Sequence, residues 1–250
     1  MNTTRRLLAA LALPVSIALL AGAGRQAQAS SGNLFNGSFE NGFDHWLTET
    51  GSEHGSTVGG PTDATGTIEL VQLNDGPDGH VARLSVHALA AGSHDFPHPC
   101  AGGGARVDED IFSVAFAGAE IFQPVMGVRS TTLRMEVSAE QQLLHVGGVV
   151  TSSKLTVEVF SVDNPFEPFV FEVLPTLQPD EIVFCTPAKV TEARTHAVVD
   201  LDLSQAGIRV GDRVGVRVIA TLSLTALGFE GGAEASAQIT IDDMSFVEPQ

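Results

Sequence analysis

Apolar residues recur at every second position along much of this chain, and that period constrains the backbone to extended strands. Leu133, Met135 and Val137 alternate with Arg134 and Glu136, and Leu155, Val157 and Val159 with Thr156 and Glu158. Val199, Leu201 and Leu203 alternate with Asp200 and Asp202, and Val214, Val216 and Val218 with Gly215 and Arg217. Successive side chains of a strand point to opposite faces, so each run sets one face on a core and the other in water. Antiparallel sheets have that property. Almost nothing repeats at helical spacing. Further strands are expected at 66–73, 80–88, 111–116, 119–125, 168–174 and 219–226. About ten to twelve strands in one domain predict an all-β fold, a two-sheet antiparallel β-sandwich of jelly-roll type.

Residues 1–29 read as an export signal. Arg5-Arg6 precede an apolar run from Leu7 to Ala23, and Ala27-Gln28-Ala29 is an A-x-A cleavage site. The run is short for a bilayer span and holds Pro14, Ser16 and Gly22. Cleavage leaves 250 − 29 = 221 residues, a single domain over 30–250. No later apolar run is long enough to span a membrane, so a secreted or extracytoplasmic chain is expected. The signal carries three arginines and no acid, which leaves 13 − 3 = 10 basic residues against 30 acidic ones in the mature chain. Such a surface repels nucleic acid and anionic lipid. Yet 43% apolar residues and 14 Phe are enough to bury a core. Long loops are expected near 90–108 and 178–195, and a third at 50–65, rich in Gly, Ser and Thr. The only cysteines, Cys100 and Cys185, fall in the first two and predict a disulfide in an exported protein.

The two ends carry the most unusual residues. In NLFNGSFENGFDHW, Asn33 to Trp46, two Asn-Gly turn signals flank Ser38-Phe39-Glu40. Phe39 is expected in the core, which turns Ser38 and Glu40 outward on a strand. In AQITIDDMSFV, Ala237 to Val247, the apolar phase switches at Asp242-Asp243. A bulge or burial of both faces accounts for the switch, and either way Asp242 is expected on the face of Met244 and Phe246. A carboxylate there needs a partner or a metal. Calcium suits the place, because it accepts about six to eight oxygens in irregular geometry. The two ends are therefore expected to meet across a bound Ca2+ and close the sandwich.

These residues resemble a family. NGSFENGFDHW is similar to the opening of carbohydrate-binding modules of the family-four and family-nine type, which are galactose-binding-like jelly rolls. ITIDDMSF resembles their closing strand, AEIFQPV (Ala119 to Val125) a mid-chain strand, and GHVARLSV (Gly79 to Val86) an early strand after a glycine turn. The resemblance implies a structural calcium with Glu40 and Asp242 as side-chain ligands and Ser38 as a carbonyl ligand. Further carbonyls would come from the turn Asp75 to Gly79. It also implies glycan binding, with one departure. Sugar-binding faces commonly present Trp or Tyr, but this chain has no Tyr, and its one Trp, Trp46, falls at a core position.

No catalytic constellation stands out. His94-Asp95-Phe96-Pro97-His98-Pro99-Cys100 holds metal-ligand types, but its prolines exclude the helix that H-x-x-x-H needs. Asp108-Glu109-Asp110 reads as a solvated strand entry. The E-x-D-x-x-E strand of jelly-roll glycosidases is absent, and so is G-x-S-x-G. Glu158, Glu172, Asp200 and Asp202 face outward with nothing to pair them, and His87 and His145 read as strand residues. The expected function is therefore a non-catalytic module that binds an extracellular glycan or surface polymer. A structural or adhesive surface protein is the alternative, and a polysaccharide hydrolase or lyase comes third.

Overall fold

The computed structural model describes residues 30–31, 33–57, 59–73, 79–92, 112–146, 149–162, 164–173, 189–227 and 231–248. They form eleven strands: β1 (Ser30–Ser31), β2 (Leu47–Ser56), β3 (Thr62–Gln72), β4 (His80–Ala91), β5 (Phe112–Met126), β6 (Thr132–Val146), β7 (Val149–Ser161), β8 (Asn164–Glu172), β9 (Lys189–Asp202), β10 (Val214–Leu227) and β11 (Gly232–Val247). One sheet runs β1-β5-β10-β7-β8, with β2 also paired to β5; the other runs β3-β4-β11-β6-β9. All pairs are antiparallel except the two-residue β1 beside β5. The expected all-β, two-sheet sandwich is the architecture found. No helix among the described residues is long and apolar enough to cross a membrane.

The alternating residues behave as the pattern requires. Leu133, Met135 and Val137, Leu155, Val157 and Val159, and Val214, Val216 and Val218 are all buried between the sheets. Leu84, Ile121, Met135, Ile239, Ile241, Met244 and Phe246 gather at one end of the sandwich, while at the other Ala88, Ala90, Ala115, Ala117, Ala233 and Ala235 pack among Leu143, Leu222 and Leu224.

Several expectations need correction. The stretch 50–65 is not a loop: it holds most of β2 and the start of β3. β2 reads TETGSEHGS after Leu47 and lies at a sheet edge, and none of its residues is fully buried, so no core face demands apolar alternation. Segments 111–116 and 119–125 are one strand, β5, and 214–218 and 219–226 are one strand, β10. The inward positions of β5 are kept in phase by alanines at 115, 117 and 119, which give little hydrophobic signal. Positions 90–91 belong to β4 and 189–195 to β9. Cys100, Cys185, the His94–Cys100 run and Asp108 to Asp110 lie outside the described residues.

The chain ends meet, but not as neighbouring strands. β11 pairs with β4 and β6. Asn33 to Trp46 is a series of turns laid across the end of the sandwich, and Glu40 therefore sits on a turn rather than a strand. Met244 N–H donates to Gly37 C=O at 3.0 Å, and Phe246 N–H donates to Asn33 Oδ1 at 2.9 Å. A Cβ on Gly37 would stand only 1.9 Å from the Met244 carbonyl oxygen, so glycine is required by the approach of the two backbones. Phe39 is fully buried against Phe43 and Trp46, and the Trp46 indole N–H donates to Asn36 C=O at 3.1 Å. Gly37→Ala should lower stability by about 1–3 kcal/mol, read as a reduced urea midpoint with an unchanged slope; an unaltered midpoint would show that the two backbones separate freely.

Candidate functional site

Two places combine polar groups with shape. The first is the junction of the chain ends. β11 carries one extra residue between Asp242 and Ser245 relative to β6, so two residues oppose one. Asp243 takes left-handed backbone torsion (φ 48°) to make that bulge. The bulge resets the phase, so Ile241 and Met244 both face the core. Asp242 therefore does not share a face with Met244 and Phe246 but points to the half-exposed side. Among the described residues, every non-glycine residue in the left-handed region belongs to this junction: Asn36, Phe39, His45 and Asp243. Left-handed torsion in an aromatic such as Phe39 is costly, and its complete burial offsets the strain.

Ser38, Glu40, Leu73, Gly79, Val81, Asp242 and Asp243 line one open cleft of about 360 Å³ at this junction. The three residues expected as calcium ligands, Ser38, Glu40 and Asp242, are thus brought together. Burial acts on Glu40 to raise its pKa, but the His80 ring and the backbone amides of Gly79 and His80 outweigh it and hold the carboxyl below its ordinary range. Its Oε1 accepts from His80 N–H at 3.2 Å, and Oε2 faces His80 Nδ1 at 3.3 Å. Asp242 behaves oppositely. Burial pushes it up; the Asp243 N–H at 2.8 Å works the other way, and the charges of Asp243, Glu136 and Glu40 push it further up. Among the described residues, no group of three His, Cys, Asp or Glu is close enough to hold a metal by itself. A cation here would need carbonyl oxygens as well. The Gly79 carbonyl already accepts from Leu73 N–H at 2.8 Å, and Asp75 to Asp78 lie outside the described residues.

The second place is the outer face of the six-stranded sheet. Phe122 on β5 and Phe160 on β7 flank β10, and their rings meet over Gly215 with centroids 5.8 Å apart and planes 11° from parallel. A Cβ on Gly215 would come within 2.4 Å of Phe160 and 2.8 Å of Phe122. Arg217, two residues on, lies over the Phe160 ring at 5.4 Å. Its guanidinium is held on both sides, with Nε 2.9 Å from Glu120 and NH1 3.1 Å from Glu158. The Nε–H is not aimed along the Glu120 contact, so that contact is an ion pair rather than a directed hydrogen bond. Burial raises the pKa of Glu120; Arg217 pulls it down, and Glu158 and Glu49 push it up. Leu47 and Glu49 on β2 stand opposite Phe122 and Glu120 and extend the face to the sheet edge.

Sequence reasoning placed Glu158 on an outward face but missed Phe122, Phe160, Glu120 and Arg217 as a group. The signal was Gly215: an isolated glycine inside a strand marks a close approach by something else. The other outward acids are dispersed. Asp200 takes both Arg134 nitrogens at 2.7 Å, Asp202 caps the turn at Ser204, and Glu172 lies 3.7 Å from Lys154. His87 contacts Glu234 at 3.1 Å, and His145 is buried. Gln123, in the strand that resembles the family's mid-chain motif, is fully buried. Its side chain accepts from Phe35 N–H at 2.7 Å and donates to the carbonyls of Phe35 and His45 at 3.0 and 3.3 Å, pinning the N-terminal turns to β5.

No family model matches this chain, and no curated protein matches it. Several solved structures are similar in architecture. One, described as the basis for promiscuous specificity of carbohydrate-binding modules from the β-sandwich superfamily, shares 10% identity over 86% of this chain and 62% of its own, with a TM-score of 0.39. TmCBM61, in complex with β-1,4-galactotriose, shares 12% identity over 84% of this chain and 94% of its own, with a TM-score of 0.28. The enzymatically active domain of tailspike protein 4 from bacteriophage CBA120 shares 12% identity over 81% of this chain and 20% of its own, with a TM-score of 0.29. The chain thus spans less than two thirds of the first and a fifth of the third. At these scores the likeness carries nothing about ligand or reaction.

The charge crowding at Asp242 has a consequence for stability. Its folded pKa lies above its unfolded value, so ionisation costs the folded state stability. The cost is absent below the unfolded pKa and complete above the folded one. In a chelator, Asp242→Asn should therefore gain on the wild type in thermal melts as pH rises from about 3 through the ordinary carboxylate range and above it. A gap that shrinks over that range would contradict the crowding.

Proposed function

We propose that this chain is an exported, non-catalytic β-sandwich that binds a glycan or another extracellular surface polymer on the outer face of its six-stranded sheet. The observation that carries this is the Phe122–Phe160 ring pair over Gly215, bordered by Arg217, Glu120 and Glu158. Phe160 is buried at 7% exposure and backs the half-buried Phe122, whose flat ring beside a fixed guanidinium and carboxylates provides apolar contact for a sugar face and hydrogen bonds for its hydroxyls. Phenylalanine here takes the part usual for Trp or Tyr, since the only Trp is buried in the core and there is no Tyr. The position of Arg217 supports binding over hydrolysis. Glycosidases keep two carboxylates about 5–10 Å apart with the bond to be broken between them. Here the guanidinium stands between Glu120 and Glu158 and engages both.

The cleft between the chain ends is proposed to hold a structural Ca2+ through Glu40, Asp242 and the Ser38 carbonyl. The residues fit a hard cation. Asp242 is pushed up by burial and by three neighbouring carboxylates, and a cation relieves that repulsion. When bound, the ion would supply positive charge that ties the N-terminal turns to β11. A structural or adhesive role is the second reading, favoured by the lack of an exposed Trp or Tyr.

Two outcomes are expected. Phe122→Ala should weaken glycan or polymer binding by about tenfold, about 1.4 kcal/mol, measured by affinity electrophoresis or calorimetry against a polysaccharide panel. Equal retention of both proteins, or of neither, on every polymer would remove the binding reading. Calcium should raise the melting temperature of the wild type and leave Asp242→Asn unmoved. A hundredfold excess over Kd corresponds to about 2.7 kcal/mol, and an equal rise in both proteins would remove Asp242 from the site.

A further inference from the structure

We propose that two copies of this chain associate edge to edge through β9, joining their five-stranded sheets into one. Among the described residues β9 pairs with β6 alone, which leaves the other side of its backbone as a row of N–H and C=O groups. Strands that end a sheet usually carry something that stops a second chain from adding. β8 reads NPFEPFVFE, with two prolines and a register shift against β7. β9 lacks the prolines and the register shift of β8, and its charges are mixed in sign rather than of one sign along the middle of the strand. Its 14 residues, KVTEARTHAVVDLD, contain neither Pro nor Gly and keep one register with β6 from Lys189 to Asp202 without a bulge. Its inward positions from Thr191 to Val199, namely Thr191, Ala193, Thr195, Ala197 and Val199, are uncharged, and the one lysine on that row of the strand is its first residue, Lys189.

The occupant that fits is a second β9. In an antiparallel pair centred on Ala193, Glu192 faces the partner's Arg194, and by symmetry Arg194 faces the partner's Glu192. Thr191 faces the partner's Thr195, and Val190 faces the partner's His196. Arg194 is available: its side chain is 77% exposed, and its contact with Glu140 is a loose 3.6 Å, while Glu192 is engaged through one oxygen only, which accepts from Gln142 Nε2 at 3.1 Å. Val190 and Val198 are 53% and 61% exposed on the same outward row. A pair centred on Ala197 fits less well. It sets Glu192 against the partner's Asp202, and it needs Asp200, which Arg134 already holds through two 2.7 Å bonds. Positions 189–197 carry two basic residues and one acid in a chain with 13 basic against 30 acidic residues, so self-repulsion is weak here.

Sedimentation or light scattering of the mature chain over a concentration series tests this. A monomer–dimer equilibrium is expected. Arg194→Glu and Glu192→Arg should each weaken it by about tenfold, because each change sets two like-charged pairs opposite one another. The double variant E192R/R194E should restore it. Thr195→Lys, which adds an inward lysine, should weaken it without altering the outward charges. Melting curves of each variant confirm that the fold is kept. A monomer at every concentration, a dimer indifferent to both single changes, or a double variant no better than the singles would each overturn the proposal.

Discussion

The backbone contact between Gly37 and Met244 is the constraint that the rest of the sandwich depends on. A bulge in an antiparallel strand frees an amide from its ladder, and a buried amide without a partner is costly. Here the freed Met244 N–H is taken up by the Gly37 carbonyl, more than two hundred residues away in the chain. The approach demands glycine on one side and left-handed torsion at Asp243 on the other. Strain in Asn36, Phe39 and His45 is tolerated because Phe39 and Trp46 are buried in the core at that end, and Gln123 fastens the turns to β5. The same bulge holds Ile241 and Met244 inward and leaves Asp242 crowded by acids at the rim. One distortion thus secures the N-terminal turns and shapes the cleft lined by Ser38, Glu40 and Asp242.

The outer face of the six-stranded sheet follows different physics. Its central strand gives up a side chain at Gly215, and two rings from the flanking strands lean into the gap. The Phe160 ring carries the guanidinium of Arg217, and that charge stays in place because Glu120 and Glu158 bracket it. Such a group is rigid, since each member is fixed by another. Rigid rings and fixed charges bind with little ordering cost, which favours a recognition face over a merely solvated one. The opposite outer face lacks this arrangement. There His87, Arg134 and Arg194 each reach a neighbouring acid across the ladder, and no ring pair is present among the described residues.

Much of the fold was legible because period two is a local signal. Strands buried on one face, such as those holding Met135, Val157 and Val216, alternate strongly. The edge strand β2 was read as a loop because nothing in TETGSEHGS alternates in hydropathy. β5 was split because its inward alanines scarcely differ from a loop in hydropathy. At the junction, the types of residue were legible and their backbone was not. The expected strand around Glu40 is a set of turns, and the bulge turned Asp242 away from Met244.

By itself the sequence determined which residues of the strongly alternating strands face the core and that acids lie near both ends, since these follow from spacing and composition. Only the tertiary structure decided which of them meet. Phe122, Phe160 and Arg217 come from three strands and touch because β10 lies between β5 and β7 in one particular register. Ser38, Glu40 and Asp242 share a cleft because a bulge and a glycine let two distant backbones approach. Register and strand order depend on cooperative pairing across the whole sheet, and no local stretch of sequence contains them.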